Sequence, residues 1–233
     1  MANNDVVVKT ERLSKVYQEG KVEVKAVSNL NLELRRGEFT ALCGPSGSGK
    51  TTMLNMIGAL DEPTGGRVIL DGQNLADLSR TELSRLRRDR IGFVFQAYNL
   101  VPVLTAFENA EFVLALQGVE KRERHHRTMK VLEEVGIADL ADRRPDELSG
   151  GQQQRVAIAR AIAPEPVIIL ADEPTANVDS ANATGLLDLM ERLNLEENIT
   201  FLFSTHDQRV ISRARRIIRL QDGELVGDEE IAG

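Results

Sequence analysis

Three features of this 233-residue chain predict an α/β fold around a mixed, largely parallel core sheet. Short apolar runs at 39–43, 91–95 and 167–171 alternate with helix-like stretches, the order that builds parallel sheets. The first and last of these runs end in residues suited to phosphate and acid chemistry, and such chemistry lies at strand ends in α/β folds. The stretch from about 98 to 163 carries helical patterns only and reads as a helical subdomain inserted into that core, within one domain spanning 1–233.

Each element has a local reason. Residues 6–17 and 22–34 are rich in Val and Leu and alternate in part, as strands of an antiparallel β subdomain do, with 18–21 as their turn. The run 39–43 is a buried strand, and a helix follows from 50 to about 58. Residues 61–66 are a turn cluster, 67–70 a strand, and Asp71-Gly72 turns it. Ser79 caps a helix over 80–89, with Glu82 three residues on. The run 91–95 is a buried strand ending at Gln96. Thr105 and Glu108 form a capping box for a helix over 105–117, with Phe107, Ala110 and Leu114 on one face. A helix over 121–135 ends at Gly136, the charged loop 138–147 holds Pro145, and a helix over 151–163 stops before Pro164. The run 167–171 is the most apolar strand and is expected at the centre of the parallel sheet. Then come a helix (180–194), a strand (200–203), a helix (209–215) and a hairpin (217–220 and 224–226) about Asp222-Gly223. The acidic tail 227–233 is expected to be loose.

Composition narrows the function. Hydrophobic residues make up 42% and charged residues 28%, as in soluble globular domains. A net charge of −7 argues against bulk attraction to nucleic acid or an anionic membrane. The basic clusters at Arg85, Arg87, Arg88 and Arg90, and from Lys121 to Arg127, read as solvated helix faces. The one cysteine, Cys43, lies in an apolar run and excludes an internal disulfide. No signal peptide is evident, and no apolar run approaches the roughly 20 residues that span a bilayer. The chain is therefore expected in the cytosol, with any membrane role reached through a partner.

The segment Gly44, Pro45, Ser46, Gly47, Ser48, Gly49, Lys50, Thr51 is the pattern of a phosphate-binding loop, and Thr52 continues it. Its glycines let backbone N–H groups turn onto phosphate oxygens, and the helix beginning there adds the positive end of its dipole. Lys50 suits the β- and γ-phosphates of ATP, and the Thr51 hydroxyl suits Mg²⁺. After the run 167–171 come Asp172 and Glu173. A carboxylate at the end of a buried strand can hold the Mg²⁺ shell, the place of Asp172; Glu173, on the other face, could polarise the attacking water.

A further motif is Leu148-Ser149-Gly150-Gly151-Gln152, about a hundred residues after the phosphate loop. Ser149 and the N–H groups of Gly150 and Gly151 open a helix and make a second anion site. Phosphate loop, this pentapeptide and Asp172-Glu173, in this order, resemble the nucleotide-binding subunit of an ATP-binding cassette (ABC) transporter, over essentially the whole chain. The resemblance implies that Ser149, Gly150, Gly151 and Gln152 close on the γ-phosphate held by a second copy of the chain. It gives Gln96 contact with Mg²⁺ and the transmembrane partner, and His206 a sensing role at the γ-phosphate. It gives Asp179 communication across the dimer and Tyr17 stacking on adenine. Asp179 also serves as a cap for the helix from Ser180. The segments 60–66, 95–100 and 104–109 are similar to the macrolide-exporter and lipoprotein-release branch, with Val178 where many members have leucine.

The resemblance thus implies a transport-coupled ATPase: a homodimer with ATP and Mg²⁺ at its interface, peripheral on the cytoplasmic face of a membrane and driving an integral permease subunit, with no nucleic acid. The alternatives are an importer subunit and a soluble ATPase of the same family. Ribosomal types of the latter carry two cassettes and DNA-repair types a long coiled coil; this chain has neither.

Overall fold

The computed structural model describes residues 5–20 and 22–231, without the side chain of residue 19. Residues 1–4 of the leader reading, Lys21 and the Glu19 side chain in the first turn, and 232–233 of the tail lie outside the described residues. In chain order the strands and helices are β1 (Val6–Glu19), β2 (Val22–Arg35), β3 (Phe39–Cys43), α1 (Lys50–Ile57), β4 (Gly65–Leu70), β5 (Gln73–Asn74), α2 (Arg80–Arg90) and β6 (Ile91–Phe95). There follow α3 (Ala106–Leu116), α4 (Lys121–Glu134), α5 (Gly150–Ile162), β7 (Ile168–Asp172), α6 (Ser180–Glu197), β8 (Phe201–Thr205), α7 (Gln208–Ile211), β9 (Arg216–Gln221) and β10 (Glu224–Glu230).

Two sheets form. One is antiparallel, in the order β2-β1-β4-β5; the other runs β10-β9-β3-β8-β7-β6 and is parallel from β9 to β6. Side chains of the larger sheet alternate between its faces, as the period of two requires. Phe39, Ile169, Phe201 and Phe203 face a core shared with α3, α4, α5 and α6. Leu42, Ile168, Leu170 and Leu202 face α1 and the antiparallel sheet. The rings of Phe39 and Phe203 lie 4.6 Å apart at their centroids. Burying both faces of the parallel strands explains why their sequences are continuously apolar.

Three expectations are corrected. The strand expected at the centre of the sheet, β7, is second from the edge, between β8 and β6. Helices covering both faces suffice to make it fully apolar, whatever its rank in the sheet. The helix expected over 209–215 is the single turn α7: Asp207 caps it, and the Arg215 N–H already donates to the Phe39 carbonyl at 3.0 Å, entering β9. The tail is not loose up to Glu230. Gly227, Asp228, Glu229 and Glu230 pair with Arg219, Ile218, Ile217 and Arg216 in the β9–β10 hairpin. Its acidic residues meet basic ones across the strands: Arg216 is bidentate to Asp228, at 2.8 Å for each nitrogen, and Arg219 reaches Glu229 at 2.6 Å. Cys43 is buried beside Ala41, Ala214 and Ile217, as its apolar run predicts.

Candidate nucleotide site

The loop from Gly44 to Gly49 connects β3 to α1. Its glycines are forced by close approach: a Cβ on Gly44 would lie 2.1 Å from the Leu220 carbonyl oxygen, and one on Gly49 2.2 Å from that of Ala26. Gly49 also has φ 97° as the N-cap of α1. Every other α-helix is capped by a side chain; α1 has none, and no acidic residue stands in its first turn. Its leading N–H groups therefore keep hydrogen-bonding capacity for an anion.

This loop floors a cleft of about 510 Å³ lined by Ala26, all residues from Gly44 to Thr52, Gln96, Asp172, Glu173, Ser204 and His206. Lys50 is 9% exposed, and its ammonium donates to the Gly44 and Pro45 carbonyls at 2.8 and 3.0 Å. An ammonium has three protons, so one remains for a ligand. Ser48 Oγ and Ser204 Oγ are buried here without a partner among the described residues, a polar deficit that a phosphate or water would satisfy.

Across the cleft the two acids diverge. Asp172 accepts from the Thr51 hydroxyl, at 3.1 Å to Oδ2 and 3.3 Å to Oδ1. Glu173 leaves the strand with φ 46° and turns toward the end of β8. Its carboxylate accepts from the Thr205 hydroxyl at 3.1 Å and meets His206 Nδ1 at 2.5 Å. A carboxylate only accepts, so this contact places an imidazole proton on Nδ1. The His206 side chain is 77% exposed and open to a ligand, whereas that of Glu173 is 16% exposed. Among the described residues no group of three or more His, Cys, Asp or Glu could hold a metal alone. Thr51 and Asp172 instead offer oxygens of the kind that could join phosphate and water around Mg²⁺.

Tyr17, Ser149, Gly150, Gly151, Gln152 and Asp179 do not line this cleft. Tyr17 is 36% exposed; its hydroxyl donates to Asp61 Oδ2 at 2.7 Å, and the Lys15 ammonium lies 5.0 Å from its ring centroid. Burial and the Asp61 carboxylate raise the pKa of that hydroxyl, keeping it a donor. Ser149 is exposed and caps α5 through a capping box with Gln152. Its Oγ accepts from the Gln152 N–H and still has its own proton to donate. Asp179 caps α6, accepting from the N–H groups of Ala181 and Asn182 at 3.1 Å. These bonds and the Asn182 side chain hold its carboxyl below the usual range.

Sequence reasoning missed Thr205, Asp207, Asp61 and Lys15. Asp207 accepts from the Thr175 hydroxyl at 2.8 Å and pairs with Arg209, tying the His206 loop to the loop after Glu173. The adjacency of Thr205 to Glu173 follows once β8 is known to lie beside β7. The Ser149/Gln152 capping box was legible from spacing alone.

A family model described as "ABC transporter" matches residues 27–176. An uncharacterized ABC transporter ATP-binding protein of Methanocaldococcus jannaschii is 46% identical over 97% of this chain and 98% of its own length. A macrolide export ATP-binding/permease protein of Hyphomonas neptunium is 40% identical over 95% of this chain, which corresponds to 34% of that larger protein. Among solved structures, the dimeric post-hydrolysis state of an ATP-binding cassette bound to ADP and Pi superposes with a TM-score of 0.89 at 45% identity. That match covers 97% of this chain and 99% of the other.

Proposed function

The chain belongs to the ABC transporter family as an ATP-hydrolysing cassette, and from that premise we propose that two copies clasp two ATP molecules to drive an export permease. Each ATP meets Lys50 of one copy and Ser149 of the other. One observation carries this reading: Ser149 lies outside the cleft that contains Lys50 of its own chain. Its proton and the N–H groups of Gly150 and Gly151 can therefore serve a phosphate brought by another molecule.

Within each site the loop N–H groups and Lys50 bind and orient the phosphates, and Tyr17 stacks on adenine. Thr51, Asp172 and Gln96 would hold Mg²⁺, which would supply positive charge to offset that of the phosphates. Glu173 orients the attacking water and takes its proton, with Thr205 and His206 fixing the carboxylate. His206 steadies charge developing on the γ-phosphate, and Asp179 reports across the interface. Because ATP binds the closed dimer better than the open halves, binding closes the pair and hydrolysis releases it.

No helix among the described residues is long and apolar enough to cross a membrane; in this reading a membrane-embedded permease supplies the path for the substrate. In this reading the segment from Gln96 to Asn109, where Val103 is 71% exposed, receives a helix of that partner. The domain is a single ABC ATPase with its helical subdomain at about 98–163, peripheral at the cytoplasmic face. The similarity to macrolide export proteins supports export over import.

The test is complementation between two inactive variants, Lys50→Met and Ser149→Arg. If each site is shared between chains, a mixed dimer contains one intact site, and turnover returns on mixing. If each chain completes its own site, every site carries a defect and mixing restores nothing.

A further inference from the structure

The loop after Gln96 is held in an unusual way. Tyr98 and Asn99 are consecutive non-glycine residues with φ 57° and 51°. That left-handed conformation is uncommon for residues with a Cβ, more so for a bulky one, and persists where surroundings enforce it. Both carbonyls of the pair point at one side chain: Arg160 Nη1 donates to Asn99 O at 2.6 Å and Nη2 to Tyr98 O at 2.9 Å. The guanidinium has no other hydrogen-bond partner and no ion pair among the described residues. Burial lowers its pKa, as expected where no carboxylate compensates the charge.

Arg160 sits on α5, the helix capped by Ser149. The same loop touches the start of that helix: a Cβ on Gly150 would lie 2.8 Å from the Tyr98 hydroxyl oxygen, so Tyr98 needs a bare backbone there. The Tyr98 hydroxyl donates to the Asn177 carbonyl at 2.8 Å, and the Asn177 amide returns to the Gln96 carbonyl at 2.9 Å. Loop, helix and the segment before Asp179 are thus stitched together around two residues that would not hold this shape unaided.

We propose that Arg160 is a positioning residue for ATP hydrolysis: its fork clamps Tyr98 and Asn99 onto α5, so that Gln96 moves as one body with the helix that presents Ser149. The proposal rests on the reading above, in which Gln96 meets the phosphate end of its own chain's nucleotide and Ser149 serves the other copy's. The clamp then joins the two sites of the dimer through a single rigid helix. A lysine replaces it only in part, because a point ammonium lacks the planar fork that spans two carbonyls.

The experiment uses the full chain carrying Arg160→Met, Arg160→Lys, Tyr98→Phe or Gln96→Ala. It measures affinity for a fluorescent ATP analogue, turnover against Mg²⁺ concentration, and hydrogen exchange of amides 97–104. Arg160→Met should bind nucleotide as the native chain does. It should turn over about 10–100-fold more slowly, as misplacement of a positioned group does, need more Mg²⁺ for half-maximal rate, and exchange the loop amides faster. Arg160→Lys should lie between, and Tyr98→Phe should shift the same readouts less. Native exchange and native Mg²⁺ dependence in Arg160→Met overturn the clamp. If that variant does not fold, the same native result in both Arg160→Lys and Tyr98→Phe overturns it. Slow turnover in Gln96→Ala beside a native Arg160→Met defeats the clamp alone. Native turnover in Gln96→Ala defeats the role of Gln96 and the proposal with it.

Discussion

Replacing Glu173 by glutamine separates proton abstraction from everything else this residue does. The carboxylate sits between two donors, the Thr205 hydroxyl at 3.1 Å and His206 Nδ1 at 2.5 Å. Glutamine has the same shape but one acceptor, so at most one of these contacts is lost, a stability cost of about 1 kcal/mol. In a chain of this length that lowers Tm by about 2–4 °C, and the fold survives. The chemical effect is larger. A positioned general base contributes about 10²–10⁴ in rate, equivalent to about 2.7–5.4 kcal/mol of activation free energy at 1.36 kcal/mol per tenfold. Lys50, Thr51 and the loop N–H groups are untouched, so nucleotide binding remains. The assay is phosphate release at saturating ATP and Mg²⁺, with gel filtration in ATP to measure dimer lifetime. Slow turnover with a longer-lived ATP dimer is the expected result. Turnover within a factor of about two of native would refute Glu173 as the base, since even the low end of the range is about 10².

Two further outcomes follow from the same geometry. Lys50→Met removes the buried ammonium, and losing a charge-assisted bond of about 1.5–3 kcal/mol should weaken ATP binding about 10–100-fold. The chain has no tryptophan, so a fluorescent nucleotide reports it, and an unchanged titration would remove Lys50 from the phosphate site. The Arg209 guanidinium holds the Asp207 carboxyl at about 2, with the Arg209 N–H and the Thr175 hydroxyl also lowering it. A pKa depressed by folding stabilises the native state above the unfolded value of about 4, and this is lost as pH falls toward the folded one. Native protein should therefore melt above Asp207→Asn at about pH 7, with the gap closing between about pH 4 and pH 2; a gap constant with pH would refute the assignment.

Much of this protein could be read along the chain because its chemistry is written in consecutive residues. A phosphate loop needs successive N–H groups and a helix start, so Gly44 to Thr51 had to be contiguous. Helix caps are equally local, and Ser79/Glu82 and Thr105/Glu108 formed the boxes their spacing announces. Apolar runs identified β3, β6 and β7 because both faces of these strands are buried.

Residues far apart in sequence followed no such pattern. Thr51 meets Asp172, and Glu173 meets His206, only because β3, β8 and β7 lie side by side; that order depends on how the whole core packs, not on any single strand. The same holds for β7, whose apolar run is compatible with any interior position. The acidic tail became a strand because Arg216 and Arg219 stand opposite it, a complementarity set by register. Arg160 stands outside every motif singled out in the sequence. Its two partners are backbone carbonyls, which carry no sequence signal, and their left-handed geometry exists only once the loop has been folded against α5.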